Sequence, residues 1–228
     1  MKSALKFLLP LLFLSMAIGS LFFTTTGCND NTLTGGSDTT TVANPNVKVY
    51  RGLQVNEDFG SSSYSGVDLY TGTTVLSLNP SRDIEMADSM GLSQRYLIRS
   101  GTGDITLDHM DIGRETKFAK QFSSKNMTQA QFDAVTKIDD SNNSLDSTDF
   151  TSHSTSYFGK SFTADDYRLY GVFLKGKSSS LPKPVFGLMY LKSLDTLIVG
   201  GNMSLRLTFD VKLNTNGQND FRERIPSN

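Results

Sequence analysis

The sequence predicts an all-β domain, mainly an antiparallel sandwich or a partly closed barrel, with one short helix. The main observation is the stretch "MSLRLTFDVKL", residues 203–213, in which apolar and polar residues alternate without exception. This period of two predicts a strand with one face on a core and the other in water, as in antiparallel sheets. Several other short apolar stretches are separated by turn-forming pairs such as Thr71-Gly72 and Gly101-Thr102. Many short strands at this spacing favour a sandwich or barrel.

Residues 1–27 are expected to be a secretory signal peptide. Lys2 and Lys6 precede a run from Phe7 to Phe23 that carries no charge. A positive start followed by a hydrophobic middle and then small or polar residues is typical of such signals. The run is slightly long for a signal core and slightly short for a spanning helix, so an uncleaved anchor is the alternative.

Cys28 is the only cysteine of the chain, and it ends the motif "TTGC", residues 25–28. The motif resembles the lipobox of bacterial lipoproteins, in which the signal peptide is cut just before a cysteine that carries lipid. Thr26 and Gly27 match the small residues of that pattern, whereas the family prefers an aliphatic residue at the position of Thr25. The resemblance implies that Cys28 is the lipidation site. Each buried methylene of an acyl chain contributes about 0.8 kcal/mol to membrane binding. A free structural cysteine is the alternative interpretation.

Residues 28–46 are predicted to be a flexible tether, and residues 47–228 a single β-rich domain. The stretch "NDNTLTGGSDTTTVANPN" after Cys28 has almost no apolar side chains to bury, so it cannot offset the entropy lost on ordering. No internal repeat and no second linker divides the chain after Val47.

Within the domain, the turn residues "VGGN" (199–202) join 203–213 to a partner in "FGLMYLKSLDTLIV", which predicts a hairpin. One helix is expected to begin near Gln129, because Thr128 and Gln131 have the spacing of a capping box. The other predicted strands are 47–55, 65–70, 73–78, 95–100, 103–109, 154–162 and 166–176.

The acidic stretch "DDSNNSLDSTD", residues 139–149, invites comparison with a calcium-binding loop. An EF-hand loop that began at Asp140 would need Gly at its sixth position and Glu at its twelfth, where this chain has Leu145 and Thr151. We therefore expect a solvated surface loop.

Charge and motifs limit the classes of function. The formal net charge is −1, and it becomes −3 without residues 1–27, which hold two lysines and no acids. Nucleic acid is therefore not expected as a partner, because phosphate binding needs concentrated Lys and Arg. The sequence contains no nucleophile elbow, zinc-helix motif, phosphate loop or dinucleotide fingerprint, so an enzyme is not expected. A hydrolase triad is the alternative, and only geometry could identify it.

His109 and His153 are the two histidines and the candidate ligand-binding residues. If "DITLDHM" is a strand, His109 shares a face with Ile105 and Leu107, at the end of an apolar stripe. His153 lies in a stretch of exposed, loop-like composition. They are either one half-buried and one surface histidine, or a pair that converges on a metal or haem iron, which neutral imidazole ligates well.

The order of "SGVDLYTGTTV", "YRLYGVFLKG", "VFGLMYLKSL" and "MSLRLTFDVKLNTNGQNDF" resembles the order of elements in HmuY-like lipoproteins. Those are β-rich proteins tethered to the outer membrane, and some of them bind haem through two axial ligands. The resemblance covers about a hundred residues. It implies an outer-membrane location and haem as a cofactor, but it assigns neither histidine to an axial position.

The sequence therefore predicts a lipid-anchored protein of the bacterial cell envelope with a non-catalytic domain that binds haem, another small molecule or a protein. The alternative is a structural or adhesive surface protein that recognises a protein or a polysaccharide. Exposed tyrosines could supply its contacts, unless they pack on strand faces instead; the candidates are Tyr50, Tyr64, Tyr70, Tyr157, Tyr167 and Tyr170.

Overall fold

The structure is a computed structural model that describes residues 41–57, 65–88, 96–100, 113–119, 124–140, 143–144, 148–155, 158–175, 181 and 183–227. All of them belong to one compact unit, Thr39–Asn228. They form fifteen strands and one helix, in the order β1 (Thr41–Ala43), β2 (Val47–Asn56), β3 (Gly66–Asp68), β4 (Thr73–Val75), β5 (Ile84–Asp88), β6 (Tyr96–Ser100), β7 (Thr116–Ala119), β8 (Ser124–Lys125), α1 (Gln129–Ala134), β9 (Asp139–Asp140), β10 (Asn143–Ser144), β11 (Phe150–Ser152), β12 (Tyr167–Leu174), β13 (Val185–Val199), β14 (Asn202–Asn214) and β15 (Arg224–Pro226).

The largest sheet has seven strands in the order β11-β7-β12-β13-β14-β2, with β8 also paired to β12. Its strand pairs are antiparallel. Its end strands, β11 and β2, do not pair with each other in the described part of the chain, so the sheet is open. A second sheet has the order β4-β3-β5-β6 and is also antiparallel. The predicted all-β antiparallel fold is confirmed, and its form is a sandwich.

The main core lies between these two sheets, because apolar side chains of both contribute to one buried cluster. Alternate residues of β14 point into it, as the period of two predicts. Its buried members are Val55, Val67, Leu69, Ile84, Met86, Ile98, Phe118, Phe158, Tyr170, Val172, Leu174, Val185, Met189, Leu191, Leu205, Leu207, Phe209, Val211 and Leu213.

A second core covers the opposite face of the large sheet. It consists of Ala119, Phe132, Ile138, Phe150, Leu169, Phe173, Phe186, Leu188, Tyr190 and Phe221. Phe132 comes from α1, and its ring stacks on Tyr190 with centroids 5.3 Å apart. One end of the large sheet is therefore buried on both faces.

The hairpin of β13 and β14 turns at Gly200 and Gly201, which have φ angles of 58° and 85°. Two successive positive φ angles define a type I′ turn, whose twist suits a two-residue hairpin and which glycine adopts without strain. The pairing passes from Leu191 opposite Phe209 to Ser193 opposite Thr208, which leaves Lys192 as a bulge.

The predicted helix is confirmed with its capping box. The Thr128 hydroxyl accepts a hydrogen bond from the Gln131 backbone N–H (3.3 Å), and the Gln131 side chain accepts one from the Thr128 backbone N–H (2.8 Å). These two bonds satisfy donors that the first helical turn leaves without intrahelical partners. α1 then ends at Ala134, with Val135 as its C-cap.

Three expectations need correction. The first is the tether: of the stretch 28–46, Thr41–Ala43 forms β1, which pairs with β15 near the other end of the chain. Asn44 also donates its backbone N–H to the carbonyl of Glu223 at 2.9 Å. Because these partners are far apart in sequence, the local composition could not reveal the pairing.

The second correction concerns residues 154–162, whose described part contains no strand. Ser154 makes an isolated bridge to Arg99, and the rings of Phe158 and Phe162 lie 5.4 Å apart. Two residues four apart in an extended strand would be separated by about 13 Å, so the chain turns here. The predicted strand 103–109 lies outside the described residues.

The third correction concerns β14. Its even positions from Ser204 to Lys212 were expected in water, but Asp210 and Lys212 are buried, and so is Ser204 near the hairpin turn. Helix α1 and the segment that contains Phe221 cover this face. The strand is correct, but one-sided solvation is wrong at Ser204 and at the end that holds Asp210 and Lys212.

Candidate functional site

Of the three predicted site residues, the structure describes His153 alone; Cys28 and His109 lie outside the described residues. His153 follows β11, and half of its side chain is exposed. Its Nε2 lies 3.5 Å from Oε1 of Glu115. The structure therefore places His153 on the surface beside a carboxylate.

Glu115 is the centre of a small charged group. Besides His153, it contacts Lys117 through Oε1 at 3.4 Å and Lys175 through Oε2 at 3.3 Å. Partial burial raises the pKa of Glu115, but the contacts with His153 and the two lysines outweigh burial and hold that pKa below its ordinary value. The carboxylate is thus ionised at neutral pH, and ligation of a metal by His153 would have to use Nδ1 or break the contact at Nε2.

No group of three or more His, Cys, Asp and Glu side chains that could hold a metal ion occurs among the described residues. The described helix is also too short and too polar to cross a bilayer, and the described chain offers no other helical candidate for a span.

The described tyrosines among the six candidates pack against the core. Tyr170 is buried within the main core, and Tyr50, Tyr70 and Tyr167 are partly buried against it. The Tyr50 hydroxyl donates a hydrogen bond to the carbonyl of Tyr70 at 2.9 Å. Packing on strand faces is thus the better interpretation for Tyr50, Tyr167 and Tyr170, and Tyr70 packs against the core from the turn after β3. Tyr64 and Tyr157 lie outside the described residues.

A polar group that sequence reasoning missed surrounds the buried carboxylate of Asp210 on β14. Oδ1 accepts a hydrogen bond from the backbone N–H of Gly52 (2.7 Å), and Oδ2 accepts from the side chains of Gln129 (2.9 Å) and Arg51 (3.2 Å). Lys192 Nζ lies 3.4 Å from Oδ1. Burial raises the pKa of Asp210, but these donors and cations outweigh it and lower the pKa below its ordinary value.

Lys212, two residues further along β14, binds the end of α1. Its buried Nζ donates to the carbonyl of Asp133 at 2.7 Å and lies 3.0 Å from Oε1 of Glu223. The last carbonyls of a helix have no intrahelical partner, and a cation near them is favourable. Asp210 and Lys212 therefore attach the two ends of the helix to the sheet, since Gln129 belongs to its first turn. This role is structural.

A second buried ionic group lies beside the smaller sheet. The Arg114 guanidinium binds both Asp68 and Asp83, with its Nε 2.8 Å from Oδ1 of Asp83. Asp83 also accepts the backbone N–H of Leu69 at 2.7 Å. Burial raises the pKa of Asp83 to about 6, in part against the opposing effect of Arg114. In the same sheet, Glu85 pairs with Arg82 and Arg99.

The far end of the β13–β14 hairpin is the most exposed apolar feature described. Ile198 and Met203 form a cross-strand pair next to the turn, with exposed fractions of 82% and 56%. They share a face with Leu205 and Leu207, which are buried in the main core. The apolar face of the hairpin thus continues past the point where the core ends.

The sequence contains a signal for the hairpin but none for the buried charged residues of β14. The Gly-Gly turn and the alternation marked the hairpin, but nothing in the alternation of β14 showed where the second face becomes covered. Asp210 and Lys212 occupy the same pattern positions as Arg206 and Thr208, which are only partly buried.

Comparisons of the chain with protein-family models, with curated proteins and with solved structures found no significant match.

Proposed function

We propose that this protein is a lipoprotein of the bacterial cell envelope, anchored at Cys28, whose β-rich domain is a non-catalytic binding module. The observation that carries the proposal is the order of two lysines, an uncharged apolar run and "TTGC" in residues 1–28. A diacylglyceryl group on the Cys28 sulfur brings two acyl chains, which together hold a folded domain at a membrane.

The topology of the domain is compatible with such an anchor. The chain enters the fold through β1, and β2 begins at Val47, opposite Asn214. The Gly200-Gly201 turn lies at the other end of β14. An anchor before Thr41 would therefore attach to the domain at the end opposite the hairpin turn.

Mass spectrometry of the protein from its native membrane tests the anchor. We expect an N-terminal peptide that begins at Cys28 and carries a diacylglyceryl thioether. The Cys28→Ser variant is the matched control, and it should keep its leader and lose the lipid. An unmodified thiol on an intact leader in the wild type would overturn the proposal.

The ligand is proposed to be haem or another small molecule, on the basis of the resemblance to HmuY-like lipoproteins. Addition of haem to purified residues 29–228 should shift the Soret band, and His109→Ala or His153→Ala should reduce that shift. The exposed position of His153 beside Glu115 makes His109→Ala the more informative variant. The absence of a shift removes haem as the ligand, and a shift that neither variant changes removes the two histidines as its axial ligands. Neither result bears on the anchor.

The second candidate, a structural or adhesive surface protein, has one observation in its favour. The exposed pair of Ile198 and Met203 stands at the end of a two-stranded extension, where a monomeric protein gains nothing from apolar side chains in water.

A further inference from the structure

One edge of β13 has no described partner. β12 pairs with β13 from Val185 to Tyr190, and the Arg168 side chain contacts the carbonyls of Leu191 and Lys192. From Ser193 to Val199, β14 is the only described strand that pairs with β13. This free edge comprises seven residues, "SLDTLIV". An unpaired edge presents backbone donors and acceptors to a further strand.

The turn determines which residues present those groups. In a two-residue hairpin, Val199 and Asn202 form a hydrogen-bonded pair, and hydrogen-bonded pairs then alternate along the strands. Thr196 and Leu205 form a non-hydrogen-bonded pair, in which the backbone groups of both residues point away from each other. The contacts of Leu205 agree: its N–H and carbonyl bind Glu57 on the other side, at 3.2 and 2.8 Å.

The N–H and carbonyl of Thr196 therefore point out from the free edge, as do those of Leu194 and Ile198. Thr196 is also the midpoint of Ser193–Val199. Two copies of this edge, related by a two-fold axis at Thr196, would pair antiparallel over its whole length. Thr196 would face its own copy, and Leu194 would face Ile198 of the second copy, all as hydrogen-bonded pairs. A two-fold interface of this kind closes on itself.

The side chains suit this register. Ile198, which is exposed in one copy, would lie beside Leu194 of the other, with Met203 next to it. Asp195 would face Leu197 instead of a second carboxylate, so no like charges meet directly. Its own cross-strand neighbour within each copy is Arg206, a residue of opposite charge.

We propose that the β13 edge from Ser193 to Val199 is a dimerisation surface, and that its occupant is the same edge of a second copy of this chain. Pairing of the two edges makes the large sheets of the two copies continuous across the two-fold axis. This inference does not rest on the proposed function, although two copies tethered to one membrane would meet at a raised effective concentration.

Cysteine cross-linking of the full chain tests the register. In the proposed dimer the two Thr196 Cα atoms are about 5.5 Å apart, which a disulfide can span. Thr196→Cys should therefore form a cross-linked dimer under mild oxidation. Ser193→Cys is the matched control, because its two copies would lie about 20 Å apart. The wild-type chain, whose only cysteine is Cys28, measures any cross-linking that Cys28 causes.

Sedimentation of residues 29–228, which retain every described strand and both cores, tests the affinity. The apparent mass should rise toward that of two chains across a roughly hundredfold range of concentration. Ile198→Lys should weaken the association by roughly tenfold or more, since it puts a cation against Leu194 of the partner copy. Val42→Lys, at an exposed apolar residue in β1, should leave it unchanged.

Two results would overturn the proposal. One is cross-linking of Thr196→Cys that is no faster than that of Ser193→Cys. The other is a chain that stays monomeric at every concentration. If such a monomer instead binds phospholipid vesicles through Ile198, the occupant of this edge is a lipid surface.

Discussion

The two ends of β14 have the same alternating pattern, but the two ends of the β13–β14 hairpin have different surroundings. At the proximal end, Val185–Tyr190 and Phe209–Asn214 have partner strands on both outer edges and a core on each face. At the distal end, Ser193–Met203, the outer edge of β13 has no described partner, and Ile198 and Met203 are exposed. Alternation of apolar and polar residues specifies β14 at both ends, and packing alone makes one end of β14 interior and the other surface. β13 differs, because its proximal end, "VFGLMYL", carries no polar residue, as is typical of a strand that is buried on both faces.

The proximal end also shows how charged residues are accommodated under a covering layer. Asp210 has four donors or cations around it, and Lys212 binds helix carbonyls and Glu223. A buried charge without such partners would cost several kcal/mol. The distal end needs no such network, because Asp195 and Thr196 remain in water.

The largest difference between the two ends should appear on truncation of apolar side chains. Phe209→Ala should lower the free energy of unfolding by about 3–5 kcal/mol, because it empties a site that is fully buried between the sheets. Met203→Ala, on the same face of the same strand, should change it by less than about 0.5 kcal/mol. Urea unfolding measures both. Equal losses would mean that the distal end is packed as tightly as the proximal one.

Burial of a carboxyl should also be visible in the pH dependence of stability. Because burial raises the pKa of Asp83 to about 6 in the folded state, the folded protein binds more protons than the unfolded chain between about pH 4 and 6. The contribution of Asp83 to stability therefore falls as pH rises through this range, by up to about 3 kcal/mol. Asp83→Asn should remove that slope in urea titrations between pH 4 and 7; an unchanged slope would contradict the assignment.

Asp210 should behave in the opposite sense. At pH 7, Asp210→Asn should lower the free energy of unfolding by about 2 kcal/mol, because charged hydrogen bonds to Gln129 and Arg51 are lost. Since its folded pKa is lowered, this contribution is present above the ordinary pKa and is lost as pH falls below about 4. Asp195→Asn, at the exposed distal end, is the control and should change stability at pH 7 by less than about 0.5 kcal/mol. Equal effects at the two sites would contradict the role of the buried network.

The smallest effect concerns the helix that covers the proximal end. Thr128→Ala removes the side-chain acceptor for the Gln131 backbone N–H and should destabilise the protein by about 1 kcal/mol. Thr128→Ser keeps the hydroxyl and should recover most of that loss in thermal or urea unfolding. If both variants unfold like the wild type, the covering helix does not depend on its cap.

Much of the fold could be predicted from local pattern. The strand at 47–55 is confirmed as β2, the strand at 166–176 as β12, and the helix near Gln129 with its cap as α1. The missed elements depend on distant partners. β1 is a strand because Arg224–Pro226 lies beside it, and Thr41–Ala43 alone gives no sign of that.

The candidate site was less predictable than the fold. His153 was expected either on the surface or at a ligand, and the structure places it on the surface beside Glu115. That neighbour is 38 residues away in sequence, so spacing could not supply it. Lipidation of Cys28 and haem binding at His109 stay predictions, because both residues lie outside the described chain.

Sequence alone determined the antiparallel character of this protein, its hairpin turn, its helix cap and the expectation of a lipid anchor at Cys28. Each of these depends on residues within a short stretch of the chain. The strands follow from the alternation of residues, the turn from the positive φ of glycine, the cap from the Thr128 hydroxyl, and the anchor from the order of residues in the leader. Tertiary structure alone decided that Asp210 and Lys212 are interior and that Ile198 is exposed. Burial depends on which distant segments cover a face, and a strand carries the same alternation whether or not they do.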